Sequence, residues 1–446
     1  MAEKAMRLGV RLRPHVKTHK CIEAARIQTD LHFGGLTVST LAEAQAFAAG
    51  GFSDITYAVP IAPQKIADAA DLHAEIGTLN LLVDHPDTVR AIEVLASSRS
   101  ITLPVYLEID CGGGRSGVDP ASDLAQVLVR RLADSESIDF RGLLTHAGHA
   151  YSARSRSEVY EVACEERNLI TAFAAEVRDL GVEIPDVSVG STPTLRAIDD
   201  LTGVTEARPG NYLFYDFFQT AIGSCDLDDV AFSVLATVIS VDTEQGRAII
   251  DAGALALSKD PGPTHVDPEC GFGLPVTLED QHRLPGLRLA GLTQEHGTLT
   301  GPGVEALHPG TRLRFLPNHS CLSAACFDRP AGERGVLASH PPRQKVQGTG
   351  SKVARSITLS LVARTACAFI LISRQRPQWY FEPMTAVLFW ARARGVTEAK
   401  WRKRRKRSST TKRLSRPWML SSTSGCAPAC TSGALETDRT TPTAST

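Results

Sequence analysis

From residue 10 to about residue 212, short runs of aliphatic and β-branched residues alternate with alanine-rich stretches such as TLAEAQAFAAGG and VYEVACEERNLITAFAAEVRDLG. In the latter, apolar positions recur at helical spacing. The runs at 10–17, 36–39, 54–59, 80–83, 103–110, 139–144, 186–190 and 205–208 read as strands. A strand followed by a helix, eight times over, predicts a parallel (β/α)8 barrel over residues 1–224 rather than an open sheet. Beyond residue 225 the pattern changes. FSVLATVISVD, GRAIIDAGALALS, LRLAGLTQEHG and TRLRFLPNHSC are β-type runs with no helix between them, and they predict a smaller β domain over 225–330.

In a (β/α)8 barrel the chemistry gathers where strands end and βα loops begin. The first strand is expected to end at Lys17, within Arg13-Pro14-His15-Val16-Lys17-Thr18-His19-Lys20. The fifth runs into DCGGGRSG, the sixth into THAGHAY, the seventh into GSTPT and the eighth into RPGNY. Polar and glycine-rich residues therefore collect on one rim. Desolvation at a strand end, with Arg11 or Arg13, His15 and His19 nearby, would lower the pKa of Lys17, as a Schiff-base lysine requires. A solvated lysine on an exposed strand end is the plainer alternative.

The loops after strands 7 and 8 are the recurrent phosphate site of this architecture, and here they hold Gly190-Ser191-Thr192 and Gly210-Asn211. An N-cap and a turn would account for either loop alone; two adjacent loops on one rim favour an anion site. A lysine and a phosphate site on the same rim are the minimum for pyridoxal 5'-phosphate. Gly112, Gly114 and Gly117 formally match G-x-G-x-x-G, but on the fifth strand and without the acidic residue that closes a dinucleotide site, so a Rossmann reading is disfavoured. In PNHSC, an extended segment would point His319 and Cys321 to the same face, and imidazole with thiolate suits Zn²⁺. Two partly buried core residues are the alternative. Glu295-His296 could line the same site or sit on a surface loop.

Together these motifs resemble the D-serine dehydratase / D-threonine aldolase-like family, which has an alanine racemase-type fold. The resemblance runs over about residues 5–330. It implies Lys17 as the cofactor-bearing catalytic lysine, with Arg115, Tyr151, Thr192, Gly210 and Asn211 binding pyridoxal phosphate, and His319 and Cys321 as ligands of zinc or another divalent metal. It also implies a homodimer whose site lies between one subunit's barrel and the other's β domain, acting on a small D-amino acid. A D-serine dehydratase is expected. D-3-Hydroxyaspartate is the nearest rival substrate, and an aldolase giving glycine and an aldehyde is the rival reaction. Family aldolases tend to carry an acidic residue where this chain has Cys321.

Charge adds a division that the total hides. Residues 1–330 carry 27 Lys+Arg against 44 Asp+Glu, a net of −17, whereas 331–446 carry 21 against 5, a net of +16, together with all four tryptophans. Segment 331–446 is therefore expected to be a basic, poorly packed tail, from a shifted reading frame or a foreign extension. A genuine nucleic-acid-binding tail is the alternative, and without it no nucleic acid is expected. Relative to the family, the residues before Lys17 are short by a strand and most of a helix, which would leave the β domain incomplete with an open edge, and an inactive chain is a further reading. Ten scattered cysteines without a signal peptide favour a reducing cytoplasm. The longest apolar stretch, 357–373, carries Arg364 near its middle and is too short to span a bilayer comfortably.

Overall fold

The computed structural model describes residues 1–30 and 32–327, together with the backbone of Ala331–Gly332, Gly335–Val336 and Phe369–Ile372. All of them lie within one compact unit, Met1–Glu382. The rest of the expected basic tail, including most of the apolar stretch at 357–373, falls outside the described residues.

Eight parallel strands form the first module: β1 Arg11–Leu12, β2 Leu36–Val38, β3 Asp54–Pro60, β4 Thr78–Val83, β5 Leu103–Glu108, β6 Ile138–Leu144, β7 Asp186–Val189 and β8 Glu206–Ala207. They are ordered β1-β8-β7-β6-β5-β4-β3-β2, and a parallel bridge from His15 to Thr37 joins the two ends. All eight expected strands are present. The first is much shorter than expected: β1 stops at Leu12, and Lys17 lies beyond it on a 3-10 turn, Val16–Thr18. Backbone bonds to the β8 side still run on from Arg13 N to Ala207 O and from His15 N to Pro209 O before the 3-10 turn begins at Val16.

The helices of this module are α1 Ala2–Arg7, α2 Ile22–Thr29, α3 Leu41–Ala49, α4 Ile66–Ile76, α5 Pro86–Arg99, α6 Asp123–Asp134, α7 Arg156–Asp179 and α8 Thr192–Ala197, followed by α9 Phe217–Ala221. Their starts are written in sequence: Thr40, Ser122, Ser155, Ser191 and Asp216 each accept a backbone N–H of the first turn. The apolar face of each strand, including Leu12, Ile55, Leu79, Val187 and Ala207, is buried in the main core with helix residues such as Phe47, Ile92, Leu128 and Phe173.

The alternate positions face inward, and several are charged. Arg13, 3% exposed, donates from Nε to Glu206 Oε2 at 2.7 Å and from Nη1 to Asp54 Oδ1 at 2.7 Å. Glu206, fully buried, accepts from Ser188 Oγ at 2.7 Å, and Ser188 in turn accepts from Arg208. Arg11 pairs with Asp186, which also accepts from Tyr106 OH at 2.8 Å. A polar column thus runs through the middle of the ring, with a small apolar cluster of Leu82, Tyr106 and Leu144 beside it.

The second module is an antiparallel sheet ordered β11-β14-β9-β10-β13-β12, from β9 Phe232–Asp242, β10 Arg247–Ile250, β11 Leu274–Val276, β12 Arg288–Leu292, β13 Gly297–Thr300 and β14 Arg312–Leu316. Two short helices accompany it, α10 Ala254–Leu257 and α11 Ser320–Ala324. Phe232, Val234, Phe315 and Leu299 fill its core. The edge of β9 at Phe232–Leu235 is paired with Phe369–Ile372, a segment from within the expected tail. No helix among the described residues is long and apolar enough to cross a membrane.

Replacing Arg13 with alanine leaves Glu206 buried without its closest cation, which costs about 3–5 kcal/mol when one partner of a buried pair is removed. Urea denaturation of Arg13→Ala is expected to show a loss of that order. Arg13→Met combined with Glu206→Leu is expected to recover much of it.

Candidate active site

The residues nominated from sequence lie on loops at the carboxyl ends of the barrel strands and on the adjoining helix of the β domain. The Lys17 turn is set by two histidines acting in the same way. His15 Nδ1 accepts from Lys17 N at 3.4 Å, and His19 Nδ1 accepts from Cys21 N at 3.1 Å. Their Nε2–H groups then donate to Ser39 Oγ (3.3 Å) and Gln28 Oε1 (2.8 Å). Burial lowers the pKa of both, that of His19 to about 4, so they are neutral struts of the turn.

The lysine itself is exposed, contrary to the expectation of a buried strand-end amine. The cations expected around it are engaged elsewhere or neutral: Arg11 and Arg13 pair with Asp186, Glu206 and Asp54, and His19 is neutral. The basic groups that do share its surroundings are His15 and His146, whose pKa values burial and the Lys17 charge both depress, His146 to about 3.

Gly210 is fixed by close approach. A Cβ there would stand 2.7 Å from His15 O and 3.2 Å from Thr18 Oγ1, so the loop after β8 packs directly on the lysine turn. Beside it, Tyr212 N donates to Thr192 Oγ1 at 3.1 Å, which ties that loop to the one after β7. Asn211 is 4% exposed. Its Nδ2 donates to Asp216 Oδ2 (2.7 Å) and Ser320 Oγ (3.0 Å) and lies 3.6 Å from Cys321 Sγ. Arg115 is the outlier: its side chain is 62% exposed and its guanidinium lies 3.8 Å from the buried Glu108 carboxylate.

His319 and Cys321 are not on an extended segment as expected. The strand β14 ends at Leu316, His319 caps α11, and Cys321 lies in its first turn. The side chains meet nonetheless: His319 keeps an extended backbone ahead of the helix, and its imidazole hydrogen-bonds the Cys321 thiol. Burial would lower the pKa of His319, but Asp260, 3.4 Å from Nδ1, and Cys321 outweigh it and raise it to about 11. Burial would raise that of Cys321, but His319 and Thr18 pull it down. With Nδ1–H directed at Asp260, Nε2 is the nitrogen left for a ligand. Tyr151 stacks on His319 with centroids 6.3 Å apart, and its hydroxyl accepts from Gln219 Nε2 at 2.8 Å. Thr18 Oγ1, one residue from the lysine, lies 3.1 Å from Cys321 Sγ.

The donor chemistry of His319 and Cys321 fits a borderline-soft divalent metal. Among the described residues no group of three or more His, Cys, Asp or Glu side chains is arranged around a metal. Two of the buried polar atoms without a partner, His149 Nδ1 and Asn211 Oδ1, lie at the same rim, beside the buried carboxylate of Glu108 and hydroxyl of Thr145. That pattern fits a polar cofactor seated on the ends of β5, β6 and β8.

Sequence reasoning missed Glu108, His146, Arg208 and Asp216. The first three had a usable signal, since each stands at or just past the end of an expected strand. Asp216 had none. The glycine-rich loop after β5 is closed to phosphate: Asp110 Oδ1 accepts from the N–H groups of Gly112, Gly113 and Gly114 at 3.0, 2.9 and 3.1 Å. Glu295 and His296 lie on the exposed turn between β12 and β13.

His19 makes the turn sensitive to acid. Its folded pKa of about 4 lies below the unfolded value of about 6.5, so the unfolded chain takes up the proton first and stability falls as pH drops from 6.5 towards 4. Denaturation at pH 7 and pH 4 is expected to show that His19→Gln loses about 3 kcal/mol less than the parent across that window.

Comparison with known proteins agrees with this arrangement. Residues 1–216 match the alanine racemase N-terminal domain and residues 231–331 the putative serine dehydratase domain. The chain is 40% identical to D-threo-3-hydroxyaspartate dehydratase of Delftia sp. (strain HT23), over 72% of this chain and 86% of the relative. The solved structure of that enzyme superposes with a TM-score of 0.69, covering 74% of this chain and 89% of the other at 39% identity. A cysteine-to-alanine mutant of the same enzyme is described in the metal-free form. D-Serine dehydratase of Dictyostelium discoideum is 35% identical (73% of this chain, 87% of the relative), and D-threonine aldolase of Arthrobacter sp. is 30% identical (71% and 79%). With its paired domains and these relatives, the chain belongs to the D-serine dehydratase / D-threonine aldolase-like family of pyridoxal phosphate-dependent lyases.

Proposed function

We propose that this chain dehydrates and deaminates a D-3-hydroxy amino acid, with D-serine as substrate and D-threo-3-hydroxyaspartate as its close rival, using pyridoxal phosphate and a divalent metal such as zinc. The observation that carries the reading is the 3.1 Å approach of Thr18 Oγ1 to Cys321 Sγ, which sets the Lys17 turn against the His319–Cys321 pair although they are some 303 residues apart in sequence. A lysine and a metal pair on one site are what removal of a Cα proton and loss of a β-hydroxyl require.

Lys17 is the anchor of the cofactor, and its amine, when free, takes the proton from the substrate Cα. Thr192 and the Gly210-Asn211 turn hold the phosphate, the Tyr151 hydroxyl keeps its proton to donate, and Arg115 lies over the mouth with Glu108 behind it. Bound pyridoxal phosphate supplies the electron sink for the Cα carbanion, and a metal on His319 and Cys321 supplies Lewis acidity for the departing hydroxyl. The products are a keto acid and ammonia. A homodimer, with the partner's β domain closing the mouth, is part of this proposal and accords with the exposure of Lys17 and Arg115.

Cleavage of Cα–Cβ in place of dehydration is the second reading, supported by the identity with a D-threonine aldolase. It needs a base to take the proton of the β-hydroxyl, whereas the metal pair here includes a thiolate in place of a carboxylate.

Lys17→Ala is expected to abolish the visible band of the bound cofactor and all turnover; cofactor bound with an unchanged spectrum would overturn the assignment of Lys17. Assays with D-serine, D-threo-3-hydroxyaspartate and D-threonine separate the reactions. Keto acid with ammonia supports dehydration, and glycine with an aldehyde supports the aldolase reading. Chelation of the metal is expected to stop turnover, with recovery on adding Zn²⁺.

A further inference from the structure

Glu166 stands apart from the residues above. It is on α7, the helix packed outside the strands, and is 2% exposed. Its carboxylate is hydrogen-bonded by amides and a hydroxyl, with the Arg208 guanidinium acting on it only as a nearby charge. Oε1 accepts from Ala147 N at 3.0 Å and from Gly190 N at 3.2 Å, and the Thr194 hydroxyl lies alongside. Burial pushes its pKa up, and those donors pull against the shift. An ionisable group held this deep without an ion pair is costly, and an aliphatic side chain on an inward helix face would avoid the cost. The partners show what the carboxylate achieves there.

The two amides belong to different loops. Ala147 follows His146 beyond β6, and Gly190 opens the Gly190-Ser191-Thr192 turn beyond β7. The circuit closes on the other side of the same peptide, because Gly190 O accepts from His146 Nδ1–H. That bond fixes the imidazole tautomer and leaves Nε2 as its free lone pair. Gly190 also lies against Arg208, with a Cβ there standing only 3.3 Å from Nη2. Thr194 links the carboxylate to the Ser191 hydroxyl at 2.8 Å, and Ser191 caps α8. Beside the carboxylate is a small pocket of about 10 Å³ lined by Ala163, Arg167, Val189, Thr194 and Leu195, room for one water at most.

We propose that Glu166 is a positioning residue that clamps the loops after β6 and β7 together from outside the strand ring, and so sets the orientation of His146 and its spacing from Thr192 at the mouth. The clamp is a statement about this chain's own loops. Its consequence for the cofactor rests on the functional reading above.

Two variants test it. Glu166→Leu keeps the bulk and removes the acceptor; Glu166→Gln keeps an acceptor oxygen and removes the charge. In the unliganded protein, amide hydrogen exchange of peptides covering 145–149 and 189–193 is expected to quicken at least about tenfold in Glu166→Leu, with the β domain unchanged and Glu166→Gln close to the parent. In titrations followed by the visible band, the Kd for pyridoxal phosphate is expected to rise at least about tenfold in Glu166→Leu and less than about threefold in Glu166→Gln. Slow exchange at both loops in Glu166→Leu would overturn the clamp, as would faster exchange spread evenly over the chain. Faster loop exchange with an unchanged Kd would overturn its role in the site. If the parent itself binds no pyridoxal phosphate, the functional reading fails, and the exchange comparison still decides the clamp.

Discussion

The seam between β1 and β8 is short, with two residues on each strand and two registered pairs, Arg11 with Glu206 and Leu12 with Ala207. What secures it is the buried bond from Arg13 to Glu206, with Asp54 on the far side of the guanidinium and Phe33 stacked over it. The site hangs from this pair at both ends. Four residues past Arg13 the chain reaches Lys17, and two past Glu206 it reaches Arg208, linked back to Glu206 through Ser188. Backbone bonds run on past the registered pairs, from Arg13 N to Ala207 O and from His15 N to Pro209 O, and the ion pair reinforces them from the side chains.

A second joint holds the β domain to the barrel. Asp216, fully buried, caps α9 through Gln219 N and accepts from Asn211 Nδ2, Ser320 N and Ser320 Oγ. Phe217 N and Phe218 N add bonds to Pro317 O and Asn318 O. One carboxylate thus touches the cofactor-side loop and the residue between His319 and Cys321. Gln219 extends the same network to Tyr151. Desolvation raises the Asp216 pKa, while His319 and these donors oppose the rise.

Much of this was legible in the sequence, for identifiable reasons. Strand periodicity gave all eight barrel strands, and alanine-rich stretches with helical spacing marked helices between them. The sense of the alternation was harder to read. R-L-R, D-I-T, D-V-S and E-A-R look like half-exposed strands, yet their polar residues point into the ring and their apolar residues lie under the helices. Residue types nominated Lys17 and the pair His319 and Cys321, but not their local conformation, because a 3-10 turn begins at Val16 and α11 begins directly after His319. Asp216 and Glu166 gave no sequence signal. A lone acid in YDFF or midway along an amphipathic helix looks like any solvated carboxylate until its burial and partners are known.

The contact between Thr18 and Cys321 has a consequence for how the molecule is made. It joins residues separated by most of the described chain, so its loop-closure entropy is met only after the barrel and the sheet have each condensed. Assembly of the site is therefore among the late events of folding. Neither Thr18 nor Cys321 belongs to the apolar core of its module, so losing this contact and losing either core are distinct events.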